Sequence, residues 1–305
     1  MDDLSLLAHL HDGVFTTAEA TRLGVCGEVL QRAVRAGSIR RLARGLYAAG
    51  ERPDSSEGRH LELCRALRLE YPDAVLGGRS AVVAHGLPVW GVPLASALLL
   101  RPVERQVRRS GATVRPLSPV VGTVDTAVGP ATTPASAVVQ VALDHGCPAA
   151  VVCADAALHR GLLSREALVA EVSERGGHRH IQRALAMMAF ADGTSESPGE
   201  SRLRVTLSAA GFELEPQFAV WDVDGELVGR ADFRVAGTRV LIEFDGVVKY
   251  IDGGVDALVR EKRREDRLRA LGWVVVRVTW AELADPARLF AIVRRALALA
   301  AASAA

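Results

Sequence analysis

The chain reads as an α/β multidomain protein, on three observations. At 305 residues it is long enough for two or three separate cores. Apolar residues recur at helical spacing in some stretches and alternate in others. The Ser-, Gly- and acid-rich "FADGTSESPGES" (190–201) then marks a boundary. Three domains follow: 1–52, helical with a hairpin; 53–192, a mixed α+β scaffold; and 193–305, with the element order α-β-β-β-α-β-α.

In the first domain "LSLLAHLH" is apolar at helical spacing. "TTAEATRLG" pairs Thr16 with Glu19 in a capping-box pattern and closes on Gly24, and "GEVLQRAVRAG" is a further helix ending at Gly37. "SIRRLARGLYAA" has β-like apolar residues around a turn at Gly45, the pattern of a wing. No acid lies between Glu28 and Glu51, whereas Arg32, Arg35, Arg40, Arg41 and Arg44 do. Beside a helix-turn-helix pattern this is the footprint of DNA backbone contact, and its rival is a solvated basic face on a protein-binding module.

Composition sets the limits. Aromatic residues are 5%, charged residues 24%, and the formal net charge is +1, so attraction to nucleic acid has to be local. Cys26, Cys64, Cys147 and Cys153 form no CxxC pair, which points away from a disulfide framework or structural zinc and towards a reducing cytoplasm. The acidic start and the lack of any apolar run near the ~20 residues of a membrane span argue against secretion or insertion. All but two of the 37 basic residues are arginine, the lysines being Lys249 and Lys262, as codon bias in a GC-rich genome would produce.

The segment "GVFTTAEATRLGVCGEVLQRAVRAGSIRRLARGLYAAG" resembles the N-terminal winged-helix domain of the AbiEi-type antitoxins, transcriptional autoregulators of bacterial abortive-infection systems. The resemblance covers about fifty residues and implies DNA and a cognate toxin as partners.

In the middle region "HLELCRALRLEY", "SAVVAHGL", "PASAVVQVALDH" and "AAVVCADAALHRGLLSREALVAEVSERG" are helical, while "ASALLLRPV" and "GATVRPL" are strand-like. His85 reads as a core or helix-end histidine. His178 and His180, two apart, point away from each other on a helix. No catalytic constellation emerges, and the region reads as a scaffold.

In the last domain "ESRLRVTLSAAG" is a helix, and "EPQFAVWDV" and "LVGRADFRV" are strands joined at Asp224-Gly225, whose "DVDGE" has the wrong spacing for a calcium loop. "RVLIEFDG" is a third strand, "GVDALVREKRREDRLRALG" a long charged helix, "WVVVRVTW" a fourth strand and "DPARLFAIVRRALALA" a terminal helix. A two-residue turn at Gly237-Thr238 makes opposed residue numbers sum to 475, so Asp232 faces Glu243. One face then carries Ala231, Phe233, Val235, Val240, Ile242 and Phe244; the other is charged apart from Leu241 and Ala236. Opposed Cβ atoms lie ~4.5–5.5 Å apart, where like charges repel. A divalent cation between the two carboxylates would relieve this; a solvated face with pairs such as Arg230 and Asp245 is the other possibility.

Residues 195–285 resemble the PD-(D/E)XK nuclease superfamily, and within it the very-short-patch-repair endonuclease-like domains, through Glu200, Asp232, "IEFDG" with Glu243, and "REDRLRALGWVVVRVTW". The resemblance implies a restriction-endonuclease-like core, Mg²⁺ or Mn²⁺ bound by Asp232 and Glu243, a contribution from Glu200, and a metal-activated water attacking a phosphodiester. Asp245 stands where the superfamily has lysine; it would serve as a further metal ligand or a salt-bridge partner, with Lys249 as first candidate for the missing positive charge and Lys262 and Arg230 behind it. The function implied is that of a DNA-binding endonuclease in repair or phage defence; the alternative is a non-catalytic AbiEi-type regulator retaining a degenerate nuclease fold.

Overall fold

The computed structural model describes residues 6–9, 11–246 and 254–303 of the chain. It is a mixed α/β protein with three sheets among the described residues and two compact units, Met1–Cys153 with Leu162–Ala189, and Ala154–Gly161 with Phe190–Ala305. No described helix is long and apolar enough to cross a membrane.

The first unit begins with β1 (Val14–Thr16), α1 (Thr17–Arg22), α2 (Gly27–Arg35), β2 (Ile39–Ala43) and β3 (Leu46–Ala49). Thr16 and Glu19 form the expected capping box: the Glu19 amide donates to Thr16 Oγ1 (3.1 Å), and the Thr16 amide donates to Glu19 Oε2 (2.8 Å). Gly24, at φ +81°, takes the left-handed conformation that ends α1. The strands form an antiparallel sheet in the order β1-β3-β2, over a core of Leu7, Phe15, Val25, Leu30 and Ile39. Residues 4, 5 and 10 of the expected first helix lie outside the described residues, but Leu7 is fully buried.

The same unit continues through α3 (Ser56–Glu70), β4 (Val75–Leu76), α4 (Gly78–Ala84), β5 (Ala97–Arg101), β6 (Val107–Arg109), β7 (Ala112–Pro116), β8 (Thr123–Thr126), β9 (Gly129–Thr132), α5 (Pro134–His145) and the first half of α6 (Cys147–His159), whose residues from Ala154 belong to the second unit. It closes with α7 (Arg165–Glu174) and α8 (Ile181–Phe190). Its six strands run in the order β6-β7-β5-β4-β9-β8. β5 and β7 are the two strands the sequence predicts; the other four are only two to four residues long. The long helical stretch from Ala149 is broken at Gly161 (φ +64°), and Ser164 caps the new helix α7. His85 sits at the end of α4 with Nε2 2.8 Å from the Thr132 carbonyl.

The second unit contains α9 (Pro198–Ala209), β10 (Leu214–Trp221), β11 (Leu227–Val235), β12 (Val240–Phe244), α10 (Gly254–Ala270), β13 (Val274–Val278), the short α11 (Trp280–Leu283) and α12 (Pro286–Ala302). The sheet order is β10-β11-β12-β13; the first two pairings are antiparallel and the last, across α10, is parallel. One face buries Phe233, Val240, Ile242 and Phe244 against Leu203 and Leu207 of α9 and Leu289 and Val293 of α12. A Cβ on Gly199 would collide with the Phe244 ring, so glycine sets how closely α9 approaches. The other face is not solvated: Leu268 of α10 packs on Val220, Val228 and Leu241. Asp155, contributed by Ala154–Gly161, is fully buried and accepts from Arg204 Nη2 (2.6 Å) and the Asp192 amide (2.7 Å).

Candidate nucleic-acid interface and the C-terminal carboxylates

α1 and α2 are joined by a short turn, and Leu30 and Ala33 anchor α2 in the core. Its opposite face presents Glu28, Gln31, Arg32 and Arg35 to solvent. On the β2–β3 hairpin Arg41 and Arg44 are also exposed. The turn between them is held in place: the Gly45 carbonyl accepts from the Thr17 amide (2.9 Å), and Gly45 has φ +78°.

Arg40, expected at the DNA backbone, is paired within the protein. Its Nη1 and Nη2 bind Glu62 of α3 at 2.6 and 2.8 Å, Nη2 also donates to the Glu51 carbonyl, and the side chain is 23% exposed. This bidentate pair fixes the hairpin to α3. The sequence alone could not reveal it, because Glu62 lies 22 positions away in another element.

In the C-terminal unit the expected register is present, with Phe233 opposite Ile242 and Arg234 opposite Leu241. The turn lies one residue earlier than expected: the Thr238 amide donates to the Val235 carbonyl (3.1 Å), leaving Ala236 and Gly237 central. Gly237 has φ +69°, and Thr238 Oγ1 accepts from the Val240 amide (3.2 Å), so a looser connection preserves the pairing.

The carboxylates are engaged separately. Asp232 Oδ2 accepts from the Phe244 amide at 2.6 Å, a strand donor beyond the last backbone pair. Nearby, β10 and β11 pair on either side of Gln217 and Asp232 but not at them, and Gln217 has φ +51°, an uncommon conformation for a side chain of its type. Glu243 Oε1 lies 2.5 Å from Arg264 Nη2, and Oε2 lies 3.9 Å from Arg277 Nε. Glu261 bridges the same two arginines, and Glu265 joins Arg277 at 3.3 Å. Burial pushes the Arg264 pKa down, but hydrogen bonds and charge from Glu261 and Glu243 outweigh it and hold it well above the ordinary arginine value. The arginine stem crosses β11 at Gly229, where a Cβ would approach its Cδ to 3.0 Å.

Glu200 is buried and serves its own helix start: Ser197 Oγ donates to Oε1 (2.7 Å), and the Glu196 amide and Gln217 Nε2 donate to Oε2 (2.9 and 3.3 Å). Arg230 pairs with Glu196 at 2.6 Å. Asp245 is half-buried at the end of β12, its amide donating to the Val278 carbonyl (2.8 Å). Lys249 lies outside the described residues, so its expected role has no structural account. Among the described residues no group of three or more His, Cys, Asp or Glu side chains gathers to hold a metal ion. Glu243 faces two guanidinium groups, so a Mg²⁺ or Mn²⁺ ion bound to it would compete with Arg264 and Arg277. Arg264 and Arg277 are the residues sequence reasoning missed; the signal available was the charge density of "REKRREDRLR" for Arg264 and the single charge within "WVVVRVTW" for Arg277.

Two uncharacterized proteins from two strains of Mycobacterium tuberculosis are each 29% identical to this chain over 277 residues, which is 87% of this chain and 94% of theirs. Residues 2–50 match the family described as "Transcriptional regulator, AbiEi antitoxin", so the N-terminal region carries a domain of that kind.

Proposed function

We propose that this chain is a cytoplasmic DNA-binding transcriptional regulator of AbiEi type, acting with a cognate toxin. In this reading residues 1–52 are a winged helix that places α2 in the major groove and the β2–β3 wing along the backbone. Residues 53–192 are its scaffold, and 193–305 keep a restriction-endonuclease-like core. The carrying observation is the set of exposed arginines, Arg32 and Arg35 on α2 and Arg41 and Arg44 on the wing, within and just beside the helix pair of the family-matched segment.

The test is a mobility-shift titration of the full chain against duplex DNA from upstream of its own gene, over a range of NaCl concentrations. Arg32→Gln with Arg35→Gln is expected to weaken binding and to reduce the log–log salt slope by ~0.9 for each phosphate no longer neutralised. Arg40→Gln is expected to reduce melting temperature rather than the slope. Unchanged affinity in the α2 variant would end this reading.

Metal-dependent phosphodiester cleavage at Asp232 and Glu243 is a second reading, favoured by the register and by the unusual backbone at Gln217. It requires Glu243 to leave Arg264. Its test is cutting of supercoiled DNA in Mg²⁺ or Mn²⁺ by the full chain and by Asp232→Ala and Glu243→Ala; cutting by neither wild type nor variants leaves the regulator alone.

A further inference from the structure

The wing does not stand alone. The Arg44 amide donates to Ser110 Oγ at 2.9 Å, so the tip of the β2–β3 hairpin is bonded to the turn of the β6–β7 hairpin, 66 residues further along the chain. Gly111, in that turn, has φ +75°, and a Cβ there would sit 3.0 Å from Ala43 Cβ and 3.1 Å from Leu63 Cδ1. Only a glycine permits so close an approach in this conformation. The two hairpins are therefore held at a defined spacing within one unit.

This junction brings together charges that the sequence keeps apart. Arg44, Arg108 and Arg109 line one open cleft of about 440 Å³, with Glu70 as the single carboxylate among its lining residues. Arg105, just before β6, is exposed as well. None of these four arginines forms a salt bridge among the described residues, in contrast to Arg40, Arg101 and Arg115 nearby, which bind Glu62, Asp73 and Asp144. Like charges fixed side by side and left without counter-ions favour an anion, and a row of them favours an anion that repeats. β6 is the edge strand of the six-stranded sheet, so nothing within that sheet covers its outer side.

We propose that the β6–β7 hairpin is a second contact for the phosphate backbone of duplex DNA, in which Arg105, Arg108 and Arg109 extend the track begun by Arg44 of the wing. The proposal rests on the DNA-binding reading above and gives part of the middle region a share in that function. These residues position the protein on the duplex without reading its bases, so their contribution is independent of DNA sequence. The competing explanation is that arginines on an edge strand guard it against pairing with another chain.

The experiment is fluorescence anisotropy of the full chain with a labelled 30-base-pair duplex of arbitrary sequence, over a salt series. Wild type is compared with Arg108→Gln/Arg109→Gln, with the charge-preserving Arg108→Lys/Arg109→Lys, and with Arg32→Gln/Arg35→Gln; melting temperatures confirm folding of each. The glutamine pair on β6 is expected to lower the magnitude of the salt slope by ~1.8, at ~0.9 per phosphate. The lysine pair is expected to retain most of it. A slope unchanged in the glutamine pair but reduced in the α2 variant would overturn the second backbone site and leave the regulator standing; self-association of that pair with an unchanged slope would assign the arginines to edge protection. Failure of wild type to hold the duplex at low salt would remove the DNA-binding reading and this proposal together.

Discussion

Glu19 and Glu243 have the same side chain and different roles: one caps a helix, the other meets arginines. Burial alone would raise the Glu19 pKa, but the Thr16 amide and hydroxyl and the nearby His11 ring more than offset it and hold it below the ordinary glutamate value. A carboxylate with a depressed folded pKa contributes stability that is present above its unfolded pKa, near 4.5, and lost as pH falls through the folded one. Glu19→Gln is therefore expected to lose ~1 kcal/mol at neutral pH, as a weakened cap does, and to show a shallower fall below pH 4.5 in acid denaturation followed by circular dichroism. The thiols make a second test at this scale. Cys64 is buried, and its pKa is pushed up to about 12, whereas Cys26 is exposed at the start of α2. Titration of the native chain with a thiol-reactive disulfide should modify Cys26 first and Cys64 only after denaturant is added; early modification of Cys64 would contradict the packing of α3.

Among the elements, α10 decides what the charged side of the C-terminal sheet can do. The alternation in "GRADFRVAGTRVLIEFDG" is enough to place Asp232 and Glu243 on that side, because a slip of one residue would exchange them with Phe233 and Ile242. Nothing in the pattern specifies that the guanidinium facing Glu243 comes from Arg264, one helix later in the chain. Local periodicity encodes which face a residue occupies; it does not encode the partner that meets it. The same limit explains the middle region, where β5 and β7 are legible but β4, a strand of two residues, is too short to display a period. A double-mutant cycle of Arg264→Ala and Glu243→Ala should give a coupling of ~0.5–3 kcal/mol in urea denaturation, the range for residues in contact. A coupling near zero would mean that the pair is only incidental and that Glu243 is available to other ligands.

At the scale of the whole molecule, the sequence boundary at 192/193 follows a change in composition, while the C-terminal unit also recruits Ala154–Gly161 from the end of α6. That octapeptide supplies Asp155, whose carboxylate meets Arg204 of α9 in the interior. A fragment of residues 193–305 would retain the buried arginine without its counter-charge, the situation in which breaking a buried ion pair costs ~3–5 kcal/mol. The corresponding substitution in the full chain, Asp155→Ala, should destabilise by a similar amount. A fragment of residues 154–305 keeps the pair and is expected to unfold cooperatively at a higher temperature than 193–305 in calorimetry. Equal melting temperatures for the two fragments would show that the octapeptide contributes no net stability to the unit. The same comparison bears on nuclease assays, because instability of α9, the helix that carries Glu200, would silence a fragment cut at the compositional boundary without any change to the carboxylates themselves.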